Sequence, residues 1–205
     1  MNALQFDAVT HTYTLGGRKL PSVTQACSVL NPDAFARVPP AVLARKRMIG
    51  VALHAAIALD VAGELDEDTI APEVAPYFAA WRRSTQIALL KVIECEVPRA
   101  SERYGYAGTP DLVALSERTG SHWLLDVKSV AVLSPVTAIQ TAAYLELVKD
   151  AYPKGMGRGA LHLKPDGTFE IRQYHGCGDF QTFLAALQVH RWRAANLPTT
   201  TEQPA

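Results

Sequence analysis

The chain has 205 residues, 48% hydrophobic and 20% charged, which is enough apolar side chain to bury one core and argues against intrinsic disorder. Lys plus Arg and Asp plus Glu number 20 each, so the formal net charge is zero, which excludes a bulk-basic polyanion binder but leaves room for a local basic groove. The three cysteines, Cys27, Cys95 and Cys177, form no C-x-x-C pair; this excludes a disulfide framework and a four-thiolate cluster, and fits a reducing cytoplasm.

Residues 4–13 alternate polar and apolar side chains, the chain passes Gly16-Gly17, and alternation resumes over 19–23, the pattern of a hairpin. Ser22 or Thr24 caps a short helix ending at Asn31-Pro32. Pro39-Pro40 open a longer helix over 41–62, closed by Gly63, with Arg45, Lys46 and Arg47 near its start. After an acidic linker over 64–68, residues 72–76 lead into a helix through about Leu90, with Phe78, Trp81 and Leu89 as its core side. Three strands follow, over 92–97, 105–115 and 123–130. Pro135 starts a helix to about Asp150, ended by Pro153 and three glycines, and residues 159–164 and 168–174 pair as a hairpin across Pro165-Asp166-Gly167. A last helix spans 179–196, before a polar tail from Pro198.

This order predicts a single α/β domain with a central mixed sheet flanked by helices. Residues 1–40 form a hairpin and helical extension packed on a core over 41–197, and 198–205 form a flexible tail. No basic-then-apolar leader and no apolar run of membrane-spanning length is present, so no membrane association is expected.

Asp126-Val127-Lys128 ends an apolar run. Residues two apart in a strand share a face, so Asp126 and Lys128 project together while Leu125 and Val127 face the other way. A carboxylate beside an ammonium suits hydrolysis: one holds a divalent cation, the other orients water or stabilises developing charge. On its own, such a pair is commonly a strand-end ion pair. Fifteen residues earlier, Gly108-Thr109-Pro110-Asp111 opens Leu112-Val113-Ala114-Leu115. Two antiparallel strands joined by the turn at 116–121 bring Asp111 close to Asp126, where both carboxylates can share one ion. Pro110 removes a ladder N–H where the chain must bend.

Gly108-x-x-Asp111, Asp126-x-Lys128 and Gln140-x-x-x-Tyr144 resemble the three ordered motifs of the RecB-type branch of the PD-(D/E)XK nuclease superfamily. Gly50-x-x-x-His54 is similar to that branch's helix histidine, and His11-x-Tyr13 followed by Leu20-Pro21-Ser22-Val23-Thr24 looks like the opening of small phage- or prophage-encoded members. The resemblance covers roughly residues 5 to 150. It implies a restriction-endonuclease-like core and a Mg²⁺- or Mn²⁺-dependent deoxyribonuclease using one or two ions, with exonuclease action favoured. It implies Asp111, Asp126, His54 and Glu96 as metal ligands, Lys128 acting on the attacking water, and Gln140 and Tyr144, which share a helix face, handling DNA. Glu96 is preferred to Glu94, which alternation puts on the same face. The chain lacks the cysteines of iron-sulfur members and has no Walker-type G-x-x-x-x-G-K-[ST], so it looks like a compact stand-alone nuclease whose recombination or single-strand-binding partner is a separate chain. The alternative is a non-catalytic nucleic-acid-binding module on the same fold. His162, His175 and Cys177 lack metal-ligand spacing and read as structural.

Overall fold

The structure of the chain is a computed structural model and describes residues 3–34, 36–152 and 155–197. The polar tail lies outside them. In chain order the elements are β1 (Leu4–Asp7), β2 (Thr12–Leu15), β3 (Arg18–Leu20), α1 (Val23–Cys27), α2 (Pro40–Ala62), α3 (Ala75–Ala88), β4 (Leu90–Cys95), β5 (Arg99–Ser101) and β6 (Tyr106–Gly108). β7 (Leu112–Ser116), β8 (Ser121–Lys128), α4 (Val136–Val148), β9 (Met156–Leu163), β10 (Phe169–Gln173) and α5 (Asp179–Asn196) follow. Among the described residues no helix is long and apolar enough to cross a membrane.

The apolar runs of the second half pair in the order β10-β9-β8-β7-β4, one mixed sheet. β4/β7, β7/β8 and β9/β10 are antiparallel, while β8 and β9 run parallel with α4 as the crossover. Alternation along each strand feeds two cores. Leu112, Leu125, Val127, Leu161 and Leu163 pack under α2 and α3 with Leu53, Ile57, Phe78 and Trp81. Val113 and Leu124 pack on the other face with Cys27 of α1, Tyr144 and Val148 of α4, and Phe183 and Leu187 of α5. The chain is therefore one α/β domain with a mixed sheet between helical layers, consistent with a restriction-endonuclease-like fold. Asp126 and Lys128 stand on the α4 side, opposite Leu125 and Val127, at the carboxyl end of β8.

Several boundaries differ from expectation, each for a local reason. The single arm over 4–13 is two strands, because the Asp7 carboxylate accepts the Val9 and Thr10 N–H groups and turns the chain, so β1, β2 and β3 make a three-stranded sheet. Ser22 is the cap of α1: its hydroxyl accepts the Gln25 N–H and the Gln25 side chain accepts its own, a capping box. Leu89 is not on the core side of α3; it adopts a left-handed conformation past the helix end and is 42% exposed. The run over 105–115 breaks at Thr109-Pro110-Asp111 into β6, which pairs with β5, and β7 of the central sheet. The glycines after α4 do not all end a helix, since Gly157 and Gly159 lie within β9; a Cβ at Gly157 would sit 2.6 Å from the Trp123 ring.

Arg158 of β9, 6% exposed, ties the far side of the molecule together. It donates to Ala138 O at 2.5 Å and Thr141 Oγ1 at 3.0 Å on α4, to Gly176 O at 3.1 Å, and to the Asp179 carboxylate at the start of α5 at 2.5 Å. Arg158→Ala leaves the Asp179 carboxylate without its cation, while Ala138 O and Gly176 O keep the Thr141 hydroxyl and the Asp179 N–H, so chemical denaturation should read a loss of about 1.5–3 kcal/mol. A loss under 1 kcal/mol would show the network to be dispensable.

Candidate metal centre

Four elements deliver the site. His54 projects from the middle of α2, one turn after Gly50, whose place on the same helix face lets the cleft approach the backbone. Asp111 enters just before β7, where Pro110 interrupts the ladder, and its Oδ2 accepts the Val127 N–H of β8 at 2.6 Å. The carboxylate thus takes the place a backbone carbonyl would have held in the β7/β8 ladder, which fixes its aim. Asp126 and Lys128 come from the end of β8. Glu96 lies one residue past β4 with φ 52, and its N–H is still donated to Asp111 O at 2.9 Å.

Glu94 and Glu96 do not share an environment, contrary to simple alternation. The ladder is regular from Glu94 to Cys95, but β4 ends there and the left-handed backbone of Glu96 turns its side chain away from the side Glu94 takes. Glu94 is taken by Arg99 at 2.7 Å and by the Tyr152 hydroxyl at 2.9 Å. Glu96 Oε1 lies 2.8 Å from His54 Nδ1, and Asp111 Oδ1 lies 3.6 Å from the same nitrogen. One ligand atom from each of His54, Glu96 and Asp111 falls within 4.8 Å of the others, a nitrogen and two carboxylate oxygens.

Asp126 stands beside this trio. It is 1% exposed, with Lys128 Nζ 2.6 Å from its Oδ2 as an ion pair, while its Oδ1 has no hydrogen-bond partner among the described residues. Buried acceptors without donors are costly unless a cation meets them. The donor set of hard oxygens with one imidazole fits Mg²⁺ or Mn²⁺.

The titration behaviour follows from crowding. Burial pushes Asp126 up to about 6, with Lys128 pulling it down and Asp111 pushing it up again. Asp111 is also raised, by burial, against the pull of His54 and Lys128. For His54 burial acts downward, but Asp111 and then Glu96 outweigh it and hold the ring at about 9. Lys128 is likewise raised: burial opposes its charge, and Asp126 and Asp111 more than compensate.

A cleft of about 500 Å³ is walled by His54, Glu96, Asp111, Lys128, Gln140 and Tyr144, with Asp126 buried behind its wall. Gln140 is half-buried, and Tyr144 is a core residue, 6% exposed. Its ring packs in the α4-side core while its hydroxyl lies at the long limit of 3.5 Å from Gln140 Nε2. Sequence reasoning gave no role to Thr109, whose Oγ1 is 2.8 Å from the Tyr13 hydroxyl. Through that contact the N-terminal sheet steadies the loop that carries Asp111. Tyr13 is buried and His11 exposed, and both line the cleft. His162, by contrast, is pinned by Val130 O at 2.6 Å.

Gly108 is required by the Tyr144 ring: a Cβ there would meet Tyr144 Cε1 at 2.6 Å and Val23 Cγ2 at 3.0 Å. Gly108→Ala must displace an aromatic ring buried in the core, at a cost of about 1–3 kcal/mol. The melting temperature should fall by several degrees. A variant as stable as the wild type would show that the ring moves freely.

No protein-family model and no curated protein matches the chain. Among solved structures, the fold overlays on a proposed exonuclease from Eubacterium rectale with a TM-score of 0.51 and 12% identity, covering 86% of this chain and 80% of that chain. SSO0001 overlays with a TM-score of 0.41 at 12% identity, over 75% of this chain and 73% of that chain. The first of these likenesses is one of fold.

Proposed function

We propose that the chain is a divalent-metal-dependent nuclease that hydrolyses phosphodiester bonds in DNA, acting from the ends of linear strands, as the resemblance to small phage-type members of the RecB branch implies. The observation that carries the reading is the convergence of His54, Glu96 and Asp111 beside buried Asp126, whose Oδ2 pairs with Lys128 and whose Oδ1 has no partner among the described residues. The fold shared with the Eubacterium rectale protein adds to it. In this reading His54, Glu96, Asp111 and Asp126 hold Mg²⁺ or Mn²⁺. Such an ion, when bound, supplies Lewis acidity toward a phosphodiester oxygen. The chain's own groups do the rest. Lys128 keeps its ammonium protonated at the cleft, where it orients an attacking water and offsets charge developing on the phosphate. His54 gives up its proton before Nδ1 can act as a ligand. Gln140 and the Tyr144 hydroxyl, on the α4 wall, supply donors to the substrate.

The test incubates the protein with end-labelled linear single-stranded, linear duplex and circular DNA in Mg²⁺, Mn²⁺ or EDTA. Linear DNA should decay with either metal and survive in EDTA. Failure to cleave any substrate would remove the enzyme reading and leave the non-catalytic module. Linearisation of circles as fast as linear decay would make it an endonuclease.

The α4 wall has its own expectation. Tyr144→Phe removes one hydroxyl whose hydrogen bond is long, so stability should barely change. DNA affinity should fall two- to twelve-fold, the equivalent of about 0.5–1.5 kcal/mol. Gln140→Ala should act in the same direction, with Mn²⁺ affinity unchanged. Unaltered DNA affinity and cleavage in both would take the α4 wall out of the substrate path.

A further inference from the structure

We infer that a trough running from the cleft between β2–β3 and α5 binds the phosphate backbone of a nucleic-acid strand whose reacting end occupies the cleft. The inference rests on the nuclease reading for the strand's end and on separate geometry for the trough. His11 lines the cleft and also a neighbouring concavity of about 570 Å³, which it shares with Lys19, Gln25, His190 and Arg191. Lys19 and Arg191 border a further concavity with Arg18 and Arg103, and His190 borders another with Arg193. The concavities share walls, so one continuous surface leads away from the metal ligands.

Its charge is one-sided. Arg18, Lys19, Arg103, Arg191 and Arg193 line it against the single carboxylate of Glu102 among the described lining residues. None of these cations has an ion-pair partner among the described residues, in a chain whose net charge is zero.

Part of the surface is built rather than merely solvated. Two guanidinium groups converge over Gly105, whose φ is +67 and where a Cβ would lie 2.9 Å from Arg191 Nη2 and 3.3 Å from Arg18 Nη2. Arg191 is held there by Tyr104 O at 2.6 Å and Gly105 O at 2.8 Å. Burial, and then the facing Arg18, push the Arg191 guanidinium below its ordinary range. Two like charges held together are a liability that an anion between them reverses, and a phosphate presents paired oxygens to the guanidinium fork. One phosphate would satisfy Arg18 and Arg191 alone; the further cations lining the joined concavities call for the successive phosphates of a strand.

The test measures binding of a fluorescent oligo-dT 20-mer and a tetramer, in EDTA so that the strands stay intact, by wild type and Arg18→Ala/Lys19→Ala. Both side chains are exposed, and matched melting curves check the fold. At 0.1 M salt the variant should bind the 20-mer roughly ten- to thirty-fold more weakly, with the salt slope shallower by about 1.4, the value for two lost contacts to a single strand. Tetramer binding and Mn²⁺-dependent tetramer cleavage should match wild type. Equal 20-mer affinity in the variant overturns the trough and leaves the nuclease reading intact. So does an equal loss on both lengths, since the trough is then not a separate subsite. If wild type cleaves nothing but the variant still loses 20-mer affinity, the nuclease reading falls and the trough stands.

Discussion

Asp126→Ala is expected to abolish metal-dependent cleavage, lowering turnover at least about a thousand-fold, or roughly 4 kcal/mol of transition-state stabilisation. Asp126 is the one group of the centre that is almost wholly enclosed; Lys128 pairs with its Oδ2, and its Oδ1, without a partner among the described residues, is the oxygen a metal ion would lose. The fold should survive. Three carboxylates, Glu96, Asp111 and Asp126, crowd two cations, His54 and Lys128, and removing one restores balance. Lys128 loses its partner but is 23% exposed and can turn its ammonium toward the cleft. The variant's melting temperature in EDTA at pH 8 should therefore be no lower than that of wild type, while the stabilisation that wild type gains from Mn²⁺ is lost. Wild-type cleavage by a contaminant-free preparation of the variant would end the assignment.

The same crowding sets the pH response of the metal-free protein. His54 is raised from 6.5 to about 9 on folding, so it contributes stability that is full below 6.5 and lost as pH rises through 9. Asp126 is raised from 3.8 to about 6, so its ionisation costs stability above 6, and the cost lifts as pH falls toward 3.8. Both signs agree. Melting in EDTA should occur at lower temperature at pH 9 than at pH 6. In Asp126→Ala the change between pH 4 and 6 should shrink, while that between 6.5 and 9 persists.

What could be read in the sequence was whatever depends on strand period and local chemistry. The facing of Asp126 and Lys128 follows from alternation, and the proximity of Asp111 follows from a hairpin whose turn residues are visible. The α/β class follows from the order of apolar runs. What could not be read depends on partners distant in sequence or on broken periodicity. The left-handed turn at Glu96 is invisible to a period-two argument, so alternation groups Glu94 with Glu96 where the structure separates them. The Asp7 turn was hidden because a carboxylate, not a Gly-Pro signal, makes it. Arg158 falls just before the strand expected over 159–164 and reads as one more charge between glycines, whereas it lies within β9 with α4 and α5 closed over it. The Tyr13–Thr109 contact joins residues 96 apart. Gly108 carries a signal, but its reason, the Tyr144 ring, appears only on packing.

Lys128→Ala should separate chemistry from metal binding. The ammonium cannot ligate a cation while protonated, and its pKa is held above the ordinary lysine value by Asp126 and Asp111 against burial. Its loss should lower turnover about 10²–10³-fold, the range for a donor aimed at developing charge. Mn²⁺ affinity should hold or rise, because the cation that competes for Asp126 at 2.6 Å has gone. Stability in EDTA should fall by about 3–5 kcal/mol, since Asp126 is left buried and uncompensated and, unlike Lys128, has no route to solvent. That asymmetry makes the double variant decisive. Asp126→Ala/Lys128→Ala removes both charges, so its melting temperature in EDTA should return close to that of Asp126→Ala, a coupling that independent sites would not show. If Lys128→Ala loses Mn²⁺ affinity as Asp126→Ala does, the lysine serves only to hold the ligand in place, and the role assigned to it in the reaction is wrong.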